Sequence, residues 1–178
     1  NVPMRGVIAL IIDDFGYRND HISNGFLELP GNLTYAIIPG HDYSQSFSKK
    51  AYDAGYEIVV HMPMEITGIT YGEEEFVLKT DMDVGTIERR VRNAFNQIPV
   101  AVGMNNHQGS KATADKRIMN IVSNTDKVLH HKDAFSLLSP IKTSSGLTSP
   151  YFIAPPMMPT KDIKYQKLTT MSILLPAK

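Results

Sequence analysis

The sequence predicts a single α/β domain on a largely parallel sheet. Short β-branched apolar runs alternate with longer stretches whose apolar residues fall at helical spacing, the pattern of βαβ units. The run Val7-Ile8-Ala9-Leu10-Ile11-Ile12 is apolar without alternation, so both of its faces are to be covered, as in a doubly wound sheet or a (β/α) barrel. The length, 178 residues, suits one domain with a substantial core.

Residues 6–12, 33–38, 56–60 and 101–104 read as strands, each apolar and rich in β-branched or aromatic residues. A helix begins near Asp20. Residues 44–54 carry Phe47, Ala51 and Ala54 at helical spacing and stop at Gly55, a common residue just past a helix end. Residues 84–97 set Val84, Ile87, Val91 and Phe95 on one face and close before Pro99. Residues 113–128 begin at a threonine cap, Thr113, and turn Ile118, Ile121, Val122 and Val128 inward. Residues 68–83 hold Glu73-Glu74-Glu75 with little periodicity and read as an exposed excursion over the rim, flanking a cleft. From Ser139 the chain is broken by Ser139-Pro140, Ser149-Pro150 and Pro155-Pro156, and no element is assigned there.

Composition narrows the partners. Lys+Arg and Asp+Glu both number 18, which removes the electrostatic case for wrapping nucleic acid or lying on an anionic membrane. No apolar run reaches the length of a membrane span. The start, Asn1-Val2-Pro3-Met4-Arg5, lacks the apolar segment of a signal peptide, which fits either a cytosolic protein or an exported one whose leader lies outside this stretch. The absence of cysteine excludes disulfides and thiolate metal sites.

The chemistry gathers where the strands run out. In an α/β sheet function belongs at the carboxyl ends of the strands, and there the sequence has Asp13-Asp14, His61 and His107. Successive side chains of an extended backbone point to opposite sides, so two adjacent aspartates cannot serve one point symmetrically and are to have different jobs. One can bind a metal while the other acts as a base; the plain alternative is a turn or a cap for the following helix. His61, stiffened by Pro63, is a ligand or a hydrogen-bonded structural histidine. His107 stands among amides, a hydroxyl and a glycine, a loop with little reason to exist for packing. His21, His41 and His130-His131 are assigned to solvated faces. A carboxylate and two imidazoles at one rim make up a 2-His-1-carboxylate set, suited to Zn²⁺, Mn²⁺, Co²⁺ or Fe²⁺. Such a metal lowers the pKa of its water to roughly 7, and Asp13 could take the proton.

These residues resemble the divergent polysaccharide deacetylase family found in bacteria. The resemblance rests on Ile11-Ile12-Asp13-Asp14-Phe15-Gly16, Ala36-Ile37-Ile38-Pro39, Gly55-Tyr56-Glu57-Ile58-Val59-Val60-His61-Met62-Pro63-Met64-Glu65 and Gly103-Met104-Asn105-Asn106-His107-Gln108-Gly109-Ser110, in that order over about the first 125 residues. It implies a distorted (β/α) barrel with fewer closed strands than the full eight, and a divalent metal, usually zinc. It also implies hydrolysis of an N- or O-acetyl group from a carbohydrate polymer, an acetylated polysaccharide or cell-wall glycan, and it favours export. Carried over by position, Asp13 is similar to the catalytic base, Asp14 to the metal-binding aspartate, and His61 and His107 to the metal-binding histidines. Glu65, Asn106 and Ser110 fall inside the motifs as candidates for lining the substrate or supporting the ligands.

Two departures stand beside that match. The larger deacetylase family carries both histidines on one segment, whereas here they come from separate strands. The expected Asp-Ser-x-Thr segment and the strand with Arg-Asp are replaced by Leu138-Ser139-Pro140-Ile141-Lys142-Thr143 and Lys161-Asp162-Ile163-Lys164, so residues 139–178 match weakly and the proton donor is unassigned. Two other readings follow. One is a catalytically silent carbohydrate-binding protein on the same scaffold. The other is a metal phosphoesterase, which the lack of a basic cluster or glycine-rich loop at the rim disfavours.

Overall fold

A computed structural model describes residues 8–69, 72–130, 152–153 and 169–173. The chain runs β1 (Ile8–Phe15), α1 (His21–Gly25), β2 (Leu33–Ile37), α2 (Ser44–Asp53), β3 (Glu57–Met64), α3 (Val84–Gln97), β4 (Met104–Gln108), α4 (Lys116–His130), β5 (Phe152–Ile153) and β6 (Thr169–Ile173). The six strands form one sheet in the order β5-β4-β3-β2-β1-β6. Strands β1 to β4 are mutually parallel and β6 is parallel to β1, while β5 runs antiparallel to β4. The four parallel strands curl into a half-barrel, with helices in the connections. This is the incomplete barrel that the resemblance implies. The motif segments at 138–143 and 161–164 lie outside the described residues, as do Gly6, Val7, His131 and most of 148–155.

Strand β3 is buried on both faces, which is why its sequence shows no alternation. One face of the sheet meets the helices: Ile12, Tyr35, Ile37, Val60, Met62 and Met64 pack in one cluster with Phe47, Ile87, Val91 and Ile118. The other face carries the small cluster Ile11, Ala36 and Val59, and the same alternation continues it through Asp13, His61 and Asn105. Asp13, His61 and Asn105 thus bring buried polar groups together on that face.

The helices form for reasons visible in the chain. Asp20 caps α1 by accepting from the Ile22 and Ser23 amides, and Asp83 caps α3 by accepting from Thr86. Helix α3 spans the predicted 84–97 and buries Ile87, Val91, Ala94 and Phe95, while Val84 stays exposed. Helix α4 begins later than predicted. Thr113 lies in the preceding 3₁₀ turn, where its hydroxyl donates to the Gly109 carbonyl, and the cap is Asp115, whose carboxylate accepts from the Arg117 and Ile118 amides.

Three further expectations change. Strands β1 and β3 do not stop at their first polar residue but run on through Asp13-Asp14 and His61, while the strand expected at 101–104 is displaced: 101–103 lie before it, and β4 starts at Met104 and runs through Asn105-Asn106-His107. An apolar run ends where the concave face becomes functional, and the backbone ladder continues beyond it. The excursion at 68–83 is not wholly exposed, because Phe76, Val77 and Leu78 are buried and Leu78 bridges Met64. Glu73, first of the three acids, is only 6% exposed. His41 likewise leaves the solvated class, with its imidazole 3.3 Å from the Glu73 carboxylate. His21 is exposed, as expected.

Candidate metal centre

Strand β1 delivers both aspartates by breaking its own regularity. Ile12 pairs with Tyr35 and Phe15 with Ile37, so the register with β2 shifts across Asp13-Asp14. Asp14 adopts φ +68°, the left-handed region, which costs a non-glycine residue roughly 1–2 kcal/mol. Strict alternation would send Asp14 to the helix-packed side; the bulge turns it back toward the site that Asp13 also faces. Gly16 then completes the turn at φ +121°, where a Cβ would stand 2.8 Å from the Ile38 carbonyl oxygen.

Strands β3 and β4 supply the imidazoles. Their register sets His61 opposite Asn105 and Pro63 opposite His107. Asp14 Oδ1 lies 3.1 Å from His61 Nε2 and 3.0 Å from His107 Nδ1. The two rings stand nearly perpendicular at 4.9 Å between centroids. Asp14 Oδ1 and His61 Nε2 are both buried and make no aligned hydrogen bond. Buried polar atoms are ordinarily satisfied, so three ligand atoms gathered within 4.8 Å of one another fit a cation that accepts all their lone pairs. Burial would raise the Asp14 carboxyl, but contacts with His107 and then His61 outweigh it and hold the group well below the ordinary carboxylate range.

A hydrogen-bonded chain fixes the tautomer of His61. Its Nδ1 lies 2.7 Å from Asn105 Oδ1, an acceptor, so Nδ1 carries the proton and Nε2 presents a lone pair toward Asp14 and the ligand cluster. Asn105 Nδ2 in turn donates to Asp13 Oδ1 at 2.9 Å. Asp13 Oδ1 is also 4.0 Å from His61 Nδ1. The two aspartates thus address opposite edges of one imidazole, Asp14 at Nε2 and Asp13, through Asn105, at Nδ1. Asp13 is buried, and its second oxygen has no hydrogen-bond partner among the described residues.

The other predicted residues serve the surrounding chain. Glu65 accepts from the Thr80 amide and hydroxyl, both at 2.7 Å, and from Lys111 Nζ at 2.8 Å. Its backbone carbonyl accepts from Lys111 and Ala112. Burial raises the Glu65 carboxyl, yet Lys111 and Thr80 prevail and hold it at about 2. Ser110 Oγ accepts from the Thr67 amide, and Asn106 Nδ2 donates to the Gln108 carbonyl. The Glu65 and Ser110 bonds tie the segments after β3 and β4 together, while the Asn106 bond is local to β4. They make no bond to Asp14, His61 or His107.

Two features escaped the sequence. Asn105 carries no motif signal of its own, and its role emerges from the register that sets it opposite His61. The second is a cluster of Tyr17, His41 and Glu73, hidden because its members lie on three separate connections.

A parallel α/β half-barrel with one aspartate and two histidines, drawn from three strands to one rim, defines a partial barrel with a candidate mononuclear metal centre. The chain belongs to the divergent polysaccharide deacetylase family, whose profile matches residues 10–145. It is 38% identical over 112 residues to the uncharacterized protein YibQ of Escherichia coli (strain K12) and 35% identical over 113 residues to an uncharacterized protein of Haemophilus influenzae. Each match covers 63% of this chain but only 34% and 39% of those proteins, so the chain spans well under half their length. Among solved structures it is similar to the uncharacterized protein ATU2773 from Agrobacterium tumefaciens C58, with TM-score 0.63 and 19% identity, over 72% of this chain and 53% of that one. That likeness concerns the fold. Among the described residues no helix is long and apolar enough to cross a membrane.

Proposed function

We propose that this chain is a metal-dependent hydrolase that removes acetyl groups, N- or O-linked, from a carbohydrate polymer, with Asp14, His61 and His107 holding the divalent metal. The observation that carries the reading is the convergence of Asp14 Oδ1, His61 Nε2 and His107 Nδ1, the first two buried without aligned hydrogen bonds. Nitrogen and oxygen donors without sulfur suit zinc first, with other borderline divalent ions as competitors. When bound, such an ion supplies Lewis acidity toward an acyl oxygen and toward water.

The residues divide the remaining work. Asp13 is the base, since its free oxygen can take a proton from an attacking water while Asn105 holds the other. Asn105 keeps His61 in the ligand tautomer. Family membership supports the carbohydrate substrate, and export to where acetylated cell-wall glycan lies goes with it.

The test is metal analysis of protein purified without added metal, joined to acetate release from acetylated chito- and xylo-oligosaccharides. One equivalent of metal is expected, with loss of both metal and acetate release in Asp14→Ala and His61→Ala. Full metal content in both variants would overturn the centre. Glycan binding by the metal-loaded protein without acetate release would turn the reading into that of a silent binding protein.

A further inference from the structure

Tyr17, half-buried His41 and buried Glu73 form a polar cluster that the metal centre does not use, with Tyr17 at its exposed side. Tyr17 follows β1, His41 follows β2 and Glu73 lies in the excursion after β3, so all three stand at the carboxyl ends of adjacent strands. That is the rim that holds Asp14, His61 and His107, and β2 lies between the strands that carry Asp14 and His61. Tyr17 Oη donates to Glu73 Oε1 at 2.8 Å, and His41 Nε2 is 3.3 Å from the same oxygen. The Tyr17 and His41 rings touch, with centroids 4.0 Å apart. Glu73 Oε2 is buried without a hydrogen-bond partner. A carboxylate taken this far out of water is costly unless it has a positive partner. The fold also fixes the backbone that presents His41: the His41 amide donates to Ser44 Oγ, which donates to the Ile38 carbonyl.

The geometry points to His41, positioned by Glu73 and Tyr17, as the proton donor to the leaving group of the reaction at the metal centre. This inference rests on the hydrolase reading given above. A sugar amine or alkoxide is a poor leaving group and needs a proton as its bond to the acyl carbon breaks. Among the described residues at this rim, Asp14, His61 and His107 are committed to the metal and Asp13 to the water. Lys111 is paired with Glu65. Burial and then the Glu73 carboxylate, with a contribution from Asp14, keep the Tyr17 hydroxyl protonated far above neutral pH, so it serves as a donor to Glu73 and not as an acid.

His41 remains. Its Nε2 stands 3.3 Å from Glu73 Oε1 without an aligned hydrogen bond, and its Nδ1 has no partner among the described residues. As the tetrahedral adduct collapses, the C–N or C–O bond breaks and its electron pair passes to the sugar nitrogen or oxygen. That atom takes the proton from His41 Nδ1, the acyl C=O re-forms, and the neutral imidazole recovers a proton from solvent.

The experiment uses the metal-loaded protein and two acetyl donors that differ in leaving group. 4-Nitrophenyl acetate expels a stable phenolate and needs no proton donor, whereas an N- or O-acetylated glucosamine oligomer does. For His41→Gln, kcat/KM on the sugar is expected to fall about 100-fold or more. The fall on the aryl ester stays within about threefold, and metal content is unchanged. Glu73→Gln retains an acceptor for Tyr17 but loses the charge, and shows the same substrate split at smaller size. Added imidazole restores sugar hydrolysis to His41→Ala. Equal losses on both substrates, or no loss on either, would overturn the assignment while leaving the hydrolase reading intact. A metal-loaded wild type that cleaves neither substrate would overturn the hydrolase reading and this inference with it.

Discussion

Replacing Asn105 separates the two jobs of the aspartates. Its amide bridges the Nδ1 edge of His61, at 2.7 Å, and Asp13, at 2.9 Å, by hydrogen bonds, where the direct approach of the two is 4.0 Å, and it is 8% exposed. Asn105→Ala leaves two buried polar atoms without partners, at about 1–3 kcal/mol each, so a loss of about 2–4 kcal/mol in folding stability is expected once partial solvation by water is allowed. The same change frees the His61 ring and its tautomer. Loss of such an orienting partner typically weakens metal affinity by about 10–100-fold, or about 1.4–2.8 kcal/mol. Asn105→Asp keeps an acceptor for His61 Nδ1 and sets a second carboxylate against Asp13. It is expected to hold metal within a few-fold of wild type and yet lose activity. Competition with a chromophoric zinc chelator gives the affinities, and denaturant unfolding of the metal-free proteins gives the stabilities. Unchanged zinc affinity in Asn105→Ala would refute the reasoning that Asn105 prepares His61 as a ligand.

Two further outcomes follow from the loops around the site. Glu65 has its folded-state carboxyl held at about 2 against an ordinary 4.5, so its contribution is complete above about pH 4.5 and is lost as pH falls toward 2. Glu65→Gln is expected to be less stable at pH 7 by about 1 kcal/mol, screened by solvent, with the gap to wild type closing between pH 4.5 and 2; a gap that stays constant in thermal melts across that range would count against the ion pair. Gly16→Ala puts a Cβ within 2.8 Å of a backbone carbonyl at a φ of +121° and is expected to cost about 2–4 kcal/mol. Gly25→Ala, in helical backbone with open space around it, is expected to be neutral or mildly stabilising by about 0.4–1 kcal/mol, so equal melting shifts for the two would refute the steric argument.

Much of the architecture was legible because it depends on burial alone. Apolar runs marked the first four strands, and periodicity gave α3 its limits at 84 and 97. Strand ends were misjudged at β1, β3 and β4 for one reason: the pattern tracks which side chains are apolar, whereas the ladder depends on backbone hydrogen bonds that pass beneath polar side chains as readily. Thr113 misled because Asp115 offered a better-placed acceptor to the first turn of α4.

The sequence by itself pointed Asp14, His61 and His107 to one rim, because the parallel βαβ alternation places the carboxyl ends of the strands on one side and the residues resemble those of a family. Only the tertiary structure decided how they meet. The left-handed turn at Asp14 lies outside any pattern of alternating residues, and Asn105 acquires its role from a cross-strand register with His61, 44 residues away. Glu73 read as one of three solvated acids until the fold brought Tyr17 and His41 to it from two other connections. Local sequence sets which residues prefer the interior, but the partner of a buried charge is chosen by long-range packing, and that is where the ligand tautomer and the proposed proton donor are decided.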